Sequence, residues 1–120
     1  MTEQLCDYVA QKARYDTPDE NGETRREFNA RYGMDHKSPE DTPPDVGSYL
    51  LVWFWDMSRT RPDSFDGCGA LTPEYVWWWA TSNGEIVTRR ELAILRQMDA
   101  AFRAAFFKER EAQRKRNERK

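Results

Sequence analysis

The segment from Thr88 to Phe107 constrains the fold most, because it combines a helix start with a long apolar stripe. Glu91 follows Thr88 at the spacing of a capping box, in which each side chain accepts a hydrogen bond from the other residue's backbone amide. The stripe consists of Leu92, Leu95, Asp99, Phe102 and Phe106, with Met98 and Ala105 beside it. This pattern predicts an amphipathic helix that runs through Phe107.

Four further helices are predicted from caps, breakers and apolar spacing. The first covers Thr2 to Arg14 with Thr2 as the cap, and the second covers Glu23 to Tyr32 and ends at Gly33. The third is capped by Asp45 or Ser48 and runs to about Arg59. The fourth is short, starts at Thr72-Pro73 and ends at Ser82-Asn83-Gly84. A single helical turn is predicted at Ser38-Pro39, since Thr42-Pro43-Pro44 soon stops it. The glycine-containing segment 60–71 predicts a polar loop, and no segment alternates like a strand. The fold class is therefore all-α, a small helical domain of about five helices with the longest at the C-terminus.

Two of these helices have apolar faces that indicate their place in the fold. The first helix carries Leu5, Val9 and Ala13 at four-residue spacing. The third helix carries Tyr49, Leu50, Val52, Trp53 and Trp55. Because the apolar residues of the third helix wrap around more than one face, we expect it to lie centrally. We predict that Trp53, Trp55 and Trp79 are core residues, since short helices need large side chains to pack.

Composition and charge divide the chain into three parts. Residues 1–22 form an N-terminal helix and linker, residues 23–107 form the main helical domain, and residues 108–120 form a charged tail, helical or disordered. The tail holds seven basic and three acidic residues and so carries +4, which leaves −6 on the rest of a chain whose net charge is −2. We expect this tail to be a solvated helix end. An acidic body argues against a dedicated nucleic-acid binder, and neither a signal peptide nor an apolar run of membrane-spanning length is present.

The residues that could support catalysis are isolated from one another. His36 lies in a polar turn, Cys68 lies between two glycines without a neighbouring base, and Cys6 is far from it in sequence. The segment 63–67 resembles the start of a calcium loop, but the later acidic ligands are missing. We therefore predict no enzyme activity, no cofactor and no metal site.

Three consecutive tryptophans, Trp77 to Trp79, point to a partner-binding surface. Successive helical residues point about 100° apart, so three rings in a row cannot all face one small core. An exposed tryptophan is a good interface anchor. The candidate partner-binding residues are Trp77, Trp78, Tyr75 and Phe107.

Residues 25–107 also carry a family resemblance, spread over about two thirds of the chain. The residues that carry it are Trp53, Trp55, Arg59, Arg61, Gly67, Gly69, Thr72, Pro73, Trp79, Glu91, Leu95, Asp99 and Phe102. In this order they resemble the tail assembly chaperone family of long-tailed bacteriophages and gene transfer agents. Trp77 and Trp78 depart from the family pattern.

The resemblance implies a helper protein without enzyme activity or cofactor. Such helpers bind the tape measure protein, or the tail tube protein, in the host cytoplasm during tail assembly, and they are absent from the mature virion. A second helper related by translational frameshifting often accompanies them. Two alternatives stay open: a minor structural virion protein of the tail or head–tail connector, and a small nucleic-acid-binding regulator that uses the basic tail.

Overall fold

The computed structural model describes residues 1–61 and 68–118. Within those residues the chain forms five α-helices, a short 3₁₀ turn and no strand. The helices are α1 (Thr2–Asp16), α2 (Arg25–Arg31), α3 (Ser48–Arg59), α4 (Pro73–Asn83) and α5 (Arg89–Glu118), and the 3₁₀ turn is Asp35–Lys37. The all-α prediction, with the longest helix at the C-terminus, is confirmed.

The capping interactions of α4 and at the start of α5 form as the sequence predicts. Glu91 Oε1 accepts from the Thr88 amide at 2.9 Å, and Thr88 Oγ1 accepts from the Glu91 amide at 3.2 Å. Thr72 Oγ1 accepts from the Tyr75 amide at 3.1 Å, which caps α4. Gly84 ends α4 in the left-handed conformation that glycine adopts without a steric penalty.

The helix α2 has a capping box that the sequence analysis overlooked. Thr24 accepts from the Glu27 amide, and the Glu27 carboxylate accepts from the Thr24 amide, so α2 begins at Arg25 and not at Glu23. At the other end Gly33 has the predicted positive φ, +71°.

Three further predictions about helix starts are wrong. Neither Asp45 nor Ser48 caps α3, since its N-cap is Gly47 and Ser48 is its first residue. Thr2 lies inside α1, whose N-cap is Met1. The turn predicted at Ser38–Pro39 occurs before it, at Asp35–Lys37. No helix follows Ser38. Its hydroxyl accepts from Asn29 Nδ2 at 2.8 Å, and the Pro39 carbonyl accepts from the Arg26 guanidinium.

The core lies between α1, α3, α4 and α5. Leu5 and Val9 of α1 are fully buried in the same cluster as Phe54 of α3, Trp79 of α4 and Leu95 of α5. The helices α1 and α5 pack side by side over a long contact. They run parallel, because later residues on the α1 side meet later residues of α5: Arg14 lies 3.8 Å from Glu109, and the carbonyl of Thr17, just after α1, accepts from Gln113.

The buried face of α3 differs in part from the predicted one. Leu50, Leu51, Phe54 and Met57 are buried, at the spacing of one helical face. Tyr49 and Val52 are exposed because that spacing places them off the buried face of α3. The apolar character of α3 on more than one face therefore indicates a partly exposed apolar surface and not complete burial.

The C-terminal segment is helical through Glu118, and the prediction that it is solvated throughout is wrong. Glu109 is fully buried and Gln113 nearly so. Both continue the face of Ala105 at four-residue spacing, with polar side chains in place of apolar ones. Their burial is possible because Arg25 and the loop after α1 supply partners, as the next section describes.

Candidate partner-binding surface

Asp99 is the centre of a buried ion pair that joins several residues of the family motif. Its carboxylate accepts from the Arg61 guanidinium and, at 3.0 Å, from the Leu71 amide. Arg61 also donates to the Gly69 carbonyl at 2.9 Å, and its guanidinium lies 5.0 Å from the centre of the Phe102 ring. These contacts connect residues on both sides of the undescribed stretch 62–67 to α5. Gly67 lies outside the described residues.

This arrangement is structural in character. Each Asp99 oxygen already accepts a hydrogen bond, and each side chain of the ion pair is less than a tenth exposed. Both side chains of this buried pair are therefore engaged by groups of the chain itself, and removing one partner would leave the other charge buried without compensation. We therefore assign Arg61 and Asp99 to the framework that supports α4 and α5.

The tryptophans of the family motif also belong to this framework. Trp79 is buried, and its Nε1 donates to Asp56 Oδ2 at 2.7 Å. Trp53 and Trp55 were predicted to be core residues, but they are only half-buried and pack against the core from its edge. Trp53 stacks at a tilt against Trp79, and Trp55 meets the edge of Phe102.

Glu91, another polar residue that carries the resemblance, lies at the start of α5 and acts as a cap. The Thr88 amide and the Tyr49 hydroxyl, which donates at 2.7 Å, lower the pKa of Glu91. The same bond raises the pKa of Tyr49. Glu91 thus stabilises the helix start and connects it to α3, with no sign of a raised pKa that general acid chemistry at neutral pH requires.

Trp77 and Trp78 are exposed, by 69% and 53% respectively, while Trp79 next to them is buried. The 100° turn between helical residues requires that the three rings cannot all be buried, and in the structure two of them are exposed. Trp78 lies against Tyr75, with ring centres 5.7 Å apart. Tyr75 is half-buried and anchored to α3, since its hydroxyl donates to the Thr60 carbonyl at 2.7 Å.

Trp77 lies on the other flank of α4, where it borders a groove of about 290 Å³. Val76, Ala80 and Leu92 supply buried or half-buried apolar surface, and Ile86 forms the opposite rim with 85% of its surface exposed. Ile86 is not among the residues predicted from the sequence to bind a partner. The available signal was an isoleucine in the short link between two capped helices, where a polar residue is usual.

Phe107 does not belong to this surface. Along α5 it lies fifteen residues beyond Leu92, which is about 22 Å of helix. It is half-buried against Phe106 and Arg103. Of the four predicted partner-binding residues, the structure therefore brings Tyr75, Trp77 and Trp78 together on α4 and separates Phe107 from them.

The cysteines and the histidine are distributed through the fold. Cys68 is buried, and burial raises the pKa of its thiol, which lowers the fraction present as the nucleophilic thiolate. His36 is exposed in the 3₁₀ turn. Among residues 1–61 and 68–118 no group of three or more metal-ligating side chains is placed to hold an ion. The calcium-loop pattern at 63–67 lies outside the described residues.

Several cations of the C-terminal segment are engaged with this chain's own acids. Arg114 pairs with Glu111 and Glu118, and Arg116 lies 3.3 Å from Asp19 and over the ring of Phe28. A cation that already has a carboxylate partner gains less from a phosphate. This arrangement weakens the nucleic-acid alternative.

The sequence matches no protein-family model, and no curated protein or solved structure matches it. In the part of the chain that the structure describes, no helix combines the length and apolarity that a membrane span requires. Arguments about function therefore rest on the α4 surface and on the motif residues themselves.

Proposed function

We propose that this protein is a tail assembly chaperone, a helper that binds apolar segments of the tape measure or tail tube protein while the tail forms. The observation that carries the proposal is the exposure of Trp77 and Trp78 on a helix that is otherwise well anchored. Most small proteins scatter single apolar residues over their surfaces, whereas adjacent exposed tryptophans usually mark an interaction site.

The anchoring of α4 supports this reading. Its first turn is capped by Thr72, and its inner face is fixed by the bonds from Trp79 to Asp56 and from Tyr75 to Thr60. A helix held in this way presents its outer side chains without a large entropic cost on binding. The exposed tryptophans are thus preorganised contacts rather than residues of a loose segment.

In this proposal the protein acts in the host cytoplasm during assembly, is absent from the finished virion and carries out no catalysis. It covers apolar stripes that the tape measure or tail tube protein would otherwise expose to aggregation. A frameshift-related product that adds further partner contacts is compatible with this role.

Co-expression with a tape measure fragment tests the proposal. The fragment should be recovered in the soluble fraction with this protein, and replacing Trp77 and Trp78 together with serine should abolish the rescue. Tyr32→Ser is the matched control, because Tyr32 is an exposed aromatic residue directly after α2 and not on α4. Circular dichroism checks that all variants remain folded.

Two outcomes would overturn the proposal. A fragment that stays insoluble with this protein in excess would remove the chaperone role. Detection of the chain in purified particles by mass spectrometry would replace it with the structural virion role.

A further inference from the structure

The length, charge and exposed area of the groove lined by Trp77 and Ile86 indicate which kind of protein segment it binds. We propose that it binds a single amphipathic helix of another protein. The helix places apolar side chains at positions i, i+4 and i+7 in the groove and lysine or arginine residues on the edge that faces Glu85. This inference rests on the proposed function in so far as it takes the α4 surface to bind a protein.

The length of the groove matches a short stretch of helix. Pro73, Trp77 and Thr81 line it at four-residue spacing, so its α4 side is about 12 Å long. Positions i and i+7 of a partner helix are about 10.5 Å apart. An extended segment would need main-chain hydrogen bonds, which α4 cannot supply because its backbone groups are bonded within the helix.

The charge of the groove favours a cationic edge on that helix. Among the described residues that line it, Glu85 is the only charged one, and Glu74 lies next to Pro73 on α4. Both glutamates are exposed, and α4 contains no lysine or arginine. A partner that places a cation here gains attraction, whereas an acidic edge is repelled.

The exposed area favours a helix over a second copy of this chain. From their exposed fractions, Trp77 and Ile86 offer roughly 300 Å² of apolar surface. A stable interface buries about 800 Å² on each partner. The groove by itself therefore supplies less than half of the area that a stable homodimer buries on each partner, but enough for two or three anchoring side chains of one helix.

Two synthetic helical peptides test the inference against the full chain. Both carry leucine at i, i+4 and i+7, and they differ only in having lysine or glutamate at the flanking positions. In calorimetric titrations, we expect the lysine peptide to bind at least about tenfold more tightly, because it is attracted to Glu85 where the glutamate peptide is repelled. Trp77→Ala should weaken its binding by about tenfold or more.

Charge variants separate the groove from general attraction to an acidic protein. Glu85→Lys should reverse the preference between the two peptides. Glu40→Lys makes the same change in charge at an exposed position in the segment beside α1, and should leave the preference as it was. Tyr32→Ala is the control for Trp77→Ala.

Equal binding of the two peptides, or binding that Trp77→Ala does not change, would overturn the inference. So would sedimentation of the chain as a dimer that Trp77→Ala dissociates, since the occupant would then be a second copy. If the lysine peptide fails while the tape measure fragment is still rescued, the groove assignment is wrong and the proposed function stands. If the peptide binds as described while the fragment stays insoluble, the groove assignment stands and the proposed function is wrong.

Discussion

The two halves of α5 are held in place by different kinds of contact. In the first half Leu95 lies in the apolar core, and Asp99 forms a buried ion pair with Arg61. In the second half the contacts to the α1–α2 region are mainly polar. Glu109 accepts from Arg25 at 2.8 Å, and Gln113 donates to the Thr17 carbonyl at 3.1 Å.

The difference shows that one half of α5 supports α3 and α4, while the other half contacts the α1–α2 region. Apolar burial near Leu95 supports α3 and α4 and hence the exposed tryptophans, so this half must be rigid. Polar contacts near Glu109 depend on charge and geometry, and their partners Arg14 and Arg25 are about a quarter exposed to water. We therefore expect the second half to be the less stable part of the helix, and it should open before the core does.

The largest expected effect comes from removing Asp99. Asp99→Ala leaves the Arg61 charge buried without its partner and the Leu71 amide without its acceptor. Loss of one member of a buried pair costs about 3–5 kcal/mol, to be measured as the change in unfolding free energy in urea. The double variant Arg61→Met/Asp99→Ala should cost less than the sum of the single variants. A loss below about 1 kcal/mol for Asp99→Ala would contradict the framework role.

A smaller effect is expected at the polar end. Glu109→Ala removes a fully buried carboxylate, but Arg25 and Arg14 can recover water. The expected loss is about 1.5–3 kcal/mol, the range for hydrogen bonds to charged groups. Hydrogen exchange should show faster exchange in residues 109–118 and nearly unchanged protection around Leu95. Equal acceleration along the whole of α5 would show that its two halves are not separate units.

The smallest effect concerns another polar contact of α1. Burial and the hydrogen bond to Asp41 raise the pKa of Tyr8 from 10.0 to about 12. The folded chain therefore holds this proton more tightly than the unfolded chain, and the resulting stability is complete below pH 10 and lost as the pH rises toward 12. Asp41→Asn should lower the Tyr8 midpoint in part, because burial remains. Tyrosinate absorbance measures it, with Tyr8→Phe identifying the signal, and an unchanged midpoint would contradict the proposed cause.

Much of the fold was predictable because its signals are local. The Thr88–Glu91 box, the Thr72-Pro73 start and the positive φ of Gly33 and Gly84 depend on a few neighbouring residues. The candidate surface was predictable only in part. The geometry of a helix shows that Trp77 to Trp79 cannot all be buried, but it does not show which ring faces inward or that Ile86 stands opposite Trp77.

The errors at the tail have a common physical reason. A charged residue is predicted to be solvent-exposed unless its ion-pair partner is known. The partner of Glu109 is Arg25, which is eighty-four residues away in the sequence. The four-residue spacing from Ala105 through Glu109 to Gln113 was the one available sign of a continuing buried face. It could not be used without knowing that α1 packs parallel to α5.

The sequence by itself determined the helices, most of their ends and the fact that a tryptophan of α4 must be exposed. These follow from backbone hydrogen bonding and from the turn angle of the helix, which need only residues close in the chain. The tertiary structure alone decided the Arg61–Asp99 pair, the burial of Glu109 and the groove between Trp77 and Ile86. Each of these depends on which distant segments meet, and that depends on the packing of the whole core.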